Sequence, residues 1–174
     1  MFFRPEEITC TRNAFQNAEK LTSRYFGLVA DAWKIHRYDV KTLADLREHE
    51  VNESAFAHLC KYHCQVLDRG KHLKGFDFYR VCIQDNRILD ALKRGSSFIR
   101  LVPFMLYIAT HELIHVVRFD RGESSFEMPV EERKKEEERV HHIARQVLKP
   151  AASPELDLVL ECFNDDRLIG KFSN

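Results

Sequence analysis

The sequence has no excess of charge of either sign. Lysine and arginine together number 27, and aspartate and glutamate also number 27, among 174 residues. Proteins that bind nucleic acid or anionic membrane surfaces usually carry a basic surplus. We therefore expect neither nucleic acid nor a membrane to be a partner of this chain.

Long apolar runs are also missing. The longest candidate, residues 101–117, is interrupted by a proline and by polar side chains, and it falls short of the roughly 18 apolar residues that a membrane span needs. The first residues have no apolar segment of the kind that a secretory signal contains. The five cysteines are an odd number, which does not fit a fully paired disulfide framework. We expect a cytoplasmic protein with reduced thiols.

Against this ordinary background, one motif stands out. Residues 111–115 read His-Glu-x-x-His within an apolar stretch. In a helix, His111 and His115 project from the same face, and two imidazoles at this spacing can hold one zinc ion. Glu112 points about 100° away around the helix. It can therefore flank the metal without binding it and take a proton from a metal-bound water.

The motif resembles the zinc-binding signature of the zincin metallopeptidases, and the uncharged flanks of the motif fit the longer pattern of that family. The resemblance implies a helix with one wall in the core and the other in a cleft. It also implies Zn²⁺ as the cofactor, a peptide or protein as the substrate, and hydrolysis with Glu112 as the general base. A chance match in a histidine-rich helix is the alternative.

A catalytic zinc needs a third protein ligand. The metzincin type supplies a third histidine shortly after the motif, and the residues that directly follow His115 contain none. The gluzincin type supplies a glutamate from a second helix, and Glu136, Glu137 and Glu138 lie at a suitable distance. The apolar stripe of the predicted second helix comprises Val140, Ile143, Ala144, Val147 and Leu148. Extended backwards, this stripe reaches Glu137 and then Glu136, so Glu137 is the first choice, Glu136 the second, and Glu138 would need a kink.

Two further residues are candidates for the site. His141 lies one turn beyond Glu137 near the edge of the same face, where it could support a ligand, donate to a developing oxyanion or serve as a substitute ligand. Tyr107 lies one turn before His111. It could hydrogen-bond a bound intermediate or simply pack against the site.

The order of elements is similar in outline to that of the ImmA/IrrE-type metallopeptidases, which are small gluzincins. The similarity covers residues 76–150, including the Ala-x-x-Val-Leu-x-Pro end of the second helix. It implies an α+β fold, predominantly α-helical and zincin-like, with a small sheet beside the active-site helix. In zincins a strand near that helix often lines the cleft, and the predicted strand 76–84 is the candidate here.

Hydrophobic periodicity predicts the remaining elements. Helices are predicted at 11–33, 41–51, 52–67, 85–93, 103–119, 130–148 and 155–163. A stop is expected at 68–70 and a docked tail after 163. We expect one domain over 1–174, with an N-terminal helical part at 1–70, a metal-binding core at 71–150, and a C-terminal helix and tail at 151–174.

Three other interpretations remain open. Glu112-x-x-His115 and Glu138-x-x-His141 could belong to a di-iron carboxylate bundle, although the segment between them is too short to hold the helix that such a bundle needs. The protein could instead be a non-enzymatic regulatory protein with a structural metal site. A second metal site near Cys60 and Cys64 is conceivable, but a buried helical stripe explains these residues more simply.

Overall fold

The computed structural model describes residues 1–67, 73–95 and 98–163. The helices are α1 (Pro5–Phe26), α2 (Ala32–Ile35), α3 (Asp85–Arg94), α4 (Leu101–Asp120), α5 (Val130–Leu148) and α6 (Pro154–Cys162). The strands are β1 (Tyr38–Lys41), β2 (Ala57–Leu67) and β3 (Leu73–Ile83). This confirms the predominantly α-helical α+β class. The expected stop at 68–70 and the docked tail after 163 lie outside the described residues.

Helix α4 is the centre of the core because its sequence is apolar on almost every face. Its buried residues include Phe104, Met105, Ile108, Ala109, Leu113, Ile114, Val116 and Val117. Helices α1, α5 and α6 pack against it. Pro103 is the third residue of α4, within the first turn, where a backbone N–H has no helical partner to lose. None of the helices in the described part is both long and apolar enough to cross a membrane.

Helix α1 differs from the prediction at both ends. It begins at Pro5, where Glu7 accepts a hydrogen bond of 2.7 Å from the backbone N–H of Arg4. It ends at Phe26 because Gly27 adopts the left-handed conformation with φ of 61°, which terminates helices. The predicted helix 11–33 is therefore wrong in its extent, and α2 is a separate short helix.

The sheet has the order β1-β3-β2, with β1 parallel and β2 antiparallel to the central β3. The side chains of β3 alternate between the two faces of the sheet. Tyr79, Val81 and Ile83 are buried on the helix side, and the ring of Tyr79 stacks on Phe119 of α4 with centroids 6.0 Å apart. We call the opposite side, which carries Arg80 and Cys82, the outer face of the sheet.

The prediction of a helix at 52–67 is wrong, because most of this segment forms strand β2. Its apolar residues fit a helical stripe, but they also alternate. Ala57 and Leu59 lie on the helix side and His58 and Cys60 on the outer face. Pairing with β3 overrides the weak local preference for helix. The paired residues run from Ala57 opposite Ile83 to Leu67 opposite Leu73. The part of the chain before residue 70 is consequently not wholly helical.

The predicted helix at 41–51 is also wrong. Two 3₁₀ turns, Leu43–Asp45 and Glu48–Glu50, take its place. Side-chain carboxylates accept hydrogen bonds from backbone N–H groups in these turns. Asp85 Oδ1 accepts from Leu43 N at 3.0 Å, and Glu50 Oε2 accepts from Arg47 N at 2.8 Å. Such bonds offer the backbone an alternative to the helical ladder.

Glu50 anchors these turns to the outer face of the sheet. Its side chain is fully buried and accepts hydrogen bonds from the hydroxyl of Tyr62 and from Arg80 Nη1, the latter at 3.1 Å. Arg80 also donates to both oxygens of Asp39, at 2.9 and 2.8 Å. Burial alone would raise the pKa of Glu50, but the hydrogen bonds from Arg47, Tyr62 and Arg80 outweigh burial and lower the pKa to about 2.

This arrangement predicts how acid affects the folded protein. The ordinary pKa of Glu50 is 4.5 and the folded value is about 2, so its stabilising contribution is complete above about pH 4.5 and disappears as the pH falls towards 2. We expect Glu50→Gln to lower the free energy of unfolding most at neutral pH, and the difference from wild type to shrink across this range. Urea unfolding at several pH values measures it.

The exposed neighbour Glu48 provides the control. Glu48→Gln should keep the wild-type dependence of stability on pH. A constant difference between wild type and Glu50→Gln from neutral pH down to pH 2 would contradict the assignment.

Candidate metal centre

Helix α4 places the two motif histidines side by side. His111 and His115 are one turn apart, as a helix requires, and their Nε2 atoms are 3.1 Å from each other. Both side chains are mostly buried, with exposed fractions of 13% for His111 and 8% for His115. The pair therefore presents two nitrogen donors to one point between α4 and α5.

Helix α5 brings a carboxylate to the same point. Glu137 Oε2 lies 3.1 Å from His111 Nε2, and Glu137 Oε1 lies 3.2 Å from His115 Nε2. The carboxylate thus spans the two rings, with one oxygen towards each. Glu137 occupies this position because the apolar stripe of α5, continued towards its N-terminus, faces α4.

These separations fit a bound metal. Zinc binds imidazole nitrogen and carboxylate oxygen at about 2.0–2.1 Å, so neighbouring donors in a tetrahedral site are about 3.3 Å apart. The three contacts of 3.1–3.2 Å are close to that value. Two histidines and one glutamate also form a donor set used by catalytic zinc, which leaves a further coordination position open.

The contact between the motif histidines and Glu137 shifts the pKa values on both sides. Burial alone would raise the pKa of Glu137, but hydrogen bonds from His111 and His115 outweigh burial and hold the pKa well below its usual range. Burial alone would lower the pKa of His111, but its hydrogen bond to Glu137 raises the pKa overall. Positive charge between the rings and the carboxylate is therefore favourable, whether protons or a metal cation carry it.

The second ring nitrogens are a departure from common metal sites. The Nδ1 atoms of His111 and His115 are buried, and within the described residues neither has a hydrogen-bond partner. Metal-binding histidines usually donate this N–H to a carboxylate or carbonyl. The orientation of these rings therefore depends on packing and on contacts at Nε2.

Glu112 lies beside the three converging groups without joining them. Its side chain is buried and lines a cavity of about 450 Å³, and burial raises its pKa. The cavity is also lined by Phe56, Ala57, Leu59, Phe119, Phe126 and Phe163. The strand along this cavity is β2 at the edge of the sheet. The predicted strand 76–84 belongs to β3 as far as Ile83. Its described residues do not line this cavity, but Tyr79 lines an adjoining depression.

Tyr107 and His141 form a second layer around the cavity. The Tyr107 hydroxyl is hydrogen-bonded to His141 Nδ1, and the rings stack with centroids 6.0 Å apart. Donor atoms of His111, Glu137 and His141 all lie within 4.8 Å of one another. Burial and the charge of His111 lower the pKa of His141 to about 3, so this ring is neutral near pH 7.

Neither Glu136 nor Glu138 contacts the motif histidines, although Glu136 lines the cavity. Glu136 is buried and accepts hydrogen bonds from Arg118 Nε at 2.6 Å and from Arg118 Nη2 at 3.1 Å, while Arg118 Nη1 also bonds Glu123 at 2.8 Å. Glu138 is exposed. Of the three glutamates considered, only Glu137 therefore contacts the motif histidines.

Sequence reasoning missed the Arg118–Glu136 ion pair and the aromatic wall of the cavity. An arginine within the apolar run of α4 was the available signal, because a charge on a buried helix requires a partner. The aromatic wall gave no such signal. Phe163, for example, follows α6 and stacks on Tyr107 with centroids 4.4 Å apart, a contact made only in the folded chain.

Comparisons of this chain with protein-family models, with curated proteins and with solved structures give no match. The resemblance to zincins therefore depends on the motif and on the geometry described above.

Neighbouring glutamates on α5 provide a paired prediction. Glu137→Gln should reduce the zinc affinity by at least about 100-fold, because it removes a ligand, and should leave the metal-free fold intact. Glu136→Gln should destabilise the protein by about 3 kcal/mol by leaving Arg118 incompletely paired, and should retain zinc under native conditions. Elemental analysis and urea unfolding measure the two effects.

The exposed Glu138→Gln serves as the matched control and should change neither quantity. Full zinc content in Glu137→Gln would show that this carboxylate is not a ligand.

Proposed function

We propose that this protein is a zinc-dependent metallopeptidase that hydrolyses peptide bonds. His111, His115 and Glu137 would hold the zinc ion, and Glu112 would act as the general base. The observation that carries the proposal is the convergence of these two histidines and this carboxylate, at 3.1–3.2 Å, beside a buried glutamate in a cavity.

The chemistry divides between the metal and the chain. His111, His115 and Glu137 would hold a zinc ion, which would supply a Lewis acid that polarises a carbonyl group and lowers the pKa of a water to about 7. Glu112 takes a proton from the attacking water onto its carboxylate and then delivers it to the leaving amine. Burial of Glu112 within the cavity suits this role, because little bulk water competes for its carboxylate.

His141 and Tyr107 are suited to stabilise charge on the substrate carbonyl oxygen. The Tyr107 hydroxyl is hydrogen-bonded to His141 Nδ1. With the hydroxyl as the donor, the proton of the neutral ring would lie on Nε2, and this N–H group could donate to a developing oxyanion. In this role Tyr107 would orient His141 and select its tautomer.

The shape of the surface suits an extended substrate. A second depression of about 630 Å³ adjoins the cavity, and both are lined by Phe119, Phe126 and Met128. Strand β2 hydrogen-bonds to β3 along one edge, and its other edge has no partner strand in the described part of the chain. An edge of this kind can pair with the backbone of an extended peptide.

The alternative of a di-iron bundle receives less support. Such a site needs a Glu-x-x-His pair from each of two helices together with additional carboxylates. Glu138, which would belong to the second pair, is exposed, and Glu136 is bonded to Arg118. The alternative of a non-enzymatic metal protein differs from the peptidase in requiring no role for Glu112.

The role of Glu112 is tested by Glu112→Gln. We expect the zinc content to be unchanged and peptide hydrolysis to fall by at least about 100-fold, because the amide cannot accept the proton. Zinc is measured by elemental mass spectrometry. Turnover is measured on a fluorescence-quenched random peptide library and on labelled unfolded casein, with Glu138→Gln as the control.

Two results would contradict the peptidase proposal. One is cleavage by Glu112→Gln at the wild-type rate. The other is a wild-type protein that holds zinc and cleaves neither probe, which would favour the non-enzymatic alternative. Two irons in the purified protein would instead support the di-iron bundle.

His141 gives a separate prediction. His141→Ala should keep the zinc and lower kcat by about 10- to 1000-fold with a smaller change in KM, because an oxyanion donor acts mainly in the transition state. Tyr107→Phe should lower kcat less. Loss of zinc in His141→Ala would identify His141 as a ligand instead.

A further inference from the structure

The outer face of the sheet carries a second group of metal-binding side chains. His58 and Cys60 belong to β2, and Cys82 belongs to β3. His58 lies directly opposite Cys82 in the antiparallel register, and Cys60 is two residues further along the same face. We call these three residues the outer-face cluster. It lies on the outer face, because Val81 and Ile83, which flank Cys82, face the helices. His58, near the start of β2, also lines the cavity between α4 and α5.

The donor atoms of this cluster converge. His58 Nε2 is 3.6 Å from Cys60 Sγ, and Cys60 Sγ is 3.7 Å from Cys82 Sγ. All three donor atoms lie within 4.8 Å of one another. All five cysteines of the chain are free thiols, so neither sulfur of the cluster is committed to a disulfide.

We propose that the outer-face cluster is a second zinc site, separate from the centre between α4 and α5. Zinc binds sulfur at about 2.3 Å and imidazole nitrogen at about 2.0–2.1 Å, so a tetrahedral site places two sulfurs about 3.8 Å apart and a sulfur and a nitrogen about 3.6 Å apart. The observed separations of 3.7 and 3.6 Å match both values. Three protein donors leave the fourth position for solvent.

The charges around the cluster balance, so the charge of a bound ion would be neutralised by its own ligands. The guanidinium of Arg80 faces two carboxylates, Asp39 and Glu50, and Lys41 of β1 lies opposite Cys82. Two thiolates would neutralise a divalent ion, and a neutral His58 would add no charge. Burial lowers the pKa of His58 and so favours its neutral, metal-binding form.

Without a metal, the thiols hold their protons. Burial raises the pKa of Cys60, and burial together with the nearby Cys60 raises the pKa of Cys82. Zinc binding would therefore release one proton from each thiol. His58 and Cys60 are only partly buried while Cys82 is fully buried, so an ion would enter from the β2 side and link β2 to β3.

The experiment isolates this site by removing the other one. In the His111→Ala/His115→Ala double variant, we expect about one zinc per chain to remain, whereas wild type should hold about two. Replacement of zinc by Co²⁺ in the double variant should give thiolate-to-cobalt charge-transfer absorption. Adding Cys60→Ser should lower the zinc affinity by at least about 100-fold and abolish this absorption, because thiolate ligation is lost.

The control is Cys64→Ser in the same double variant. Cys64 belongs to β2 and shares the outer face, but it lies opposite Phe76, away from Cys82. This substitution should leave both the zinc content and the cobalt spectrum unchanged.

A second measurement uses the double variant without any substitution in the outer-face cluster, so the surroundings of the buried Cys82 are unchanged. Zinc added to the double variant should protect Cys60 from a thiol-specific alkylating reagent, as located by peptide mass spectrometry, and should leave Cys64 reactive. The proposal would be overturned if the double variant bound no metal and Cys60 were equally reactive with and without zinc. The contact between Cys60 and Cys82 would then be only a hydrogen bond between two thiols. A Cys60–Cys82 disulfide formed in place of zinc binding would overturn the proposal as well.

The outcome is independent of the peptidase proposal. Loss of activity in the double variant concerns the centre between α4 and α5, whereas the cobalt spectrum and thiol protection concern the outer-face cluster alone.

Discussion

Burying an ionisable side chain is costly unless a partner compensates it, and α4 buries several. Arg118 is compensated by Glu136 and Glu123, and the motif histidines are compensated by Glu137. Both sets of partners include residues of α5. The packing of α5 against α4 is thus determined by polar pairing at defined positions as well as by the apolar stripe of α5, and the candidate metal centre lies where these two helices meet.

Because side chains alternate along each strand, the sheet contributes to the core on its helix side and to a polar network on its outer face. The helix side contributes apolar residues to the core and, through the beginning of β2, one wall of the cavity. The outer face holds a network of charged and hydrogen-bonding groups centred on Glu50, with the outer-face cluster next to it. Because neighbouring residues of β2 belong to different faces, the same strand borders both candidate sites.

Much of the helical part could be predicted from the sequence, because α4 is a long apolar segment and the apolar stripe of α5 is regular. Helix α5 has the predicted bounds, and the periodicity that selected Glu137 agrees with its position beside His111 and His115. Strand β2 could not be predicted, since its composition suits either helix or strand and its pairing with β3 decides the outcome. Periodicity ranked Glu137 before Glu136, but the pairing of Glu136 with Arg118 is a tertiary contact that the sequence did not reveal.

Glu136 and Glu137 are adjacent on α5 but have different partners, and this difference would affect metal exchange at the proposed centre. The Arg118–Glu136 pair requires no metal, so it sets the register of α5 on α4 in the apoprotein and presents Glu137 to the histidines in advance. A metal ion that enters such a site meets preorganised ligands and need not drive folding, in contrast to small zinc domains that are unfolded without their metal. If the proposed centre binds a metal, loading and release would proceed on a folded scaffold, at a rate governed by access to the cavity rather than by refolding.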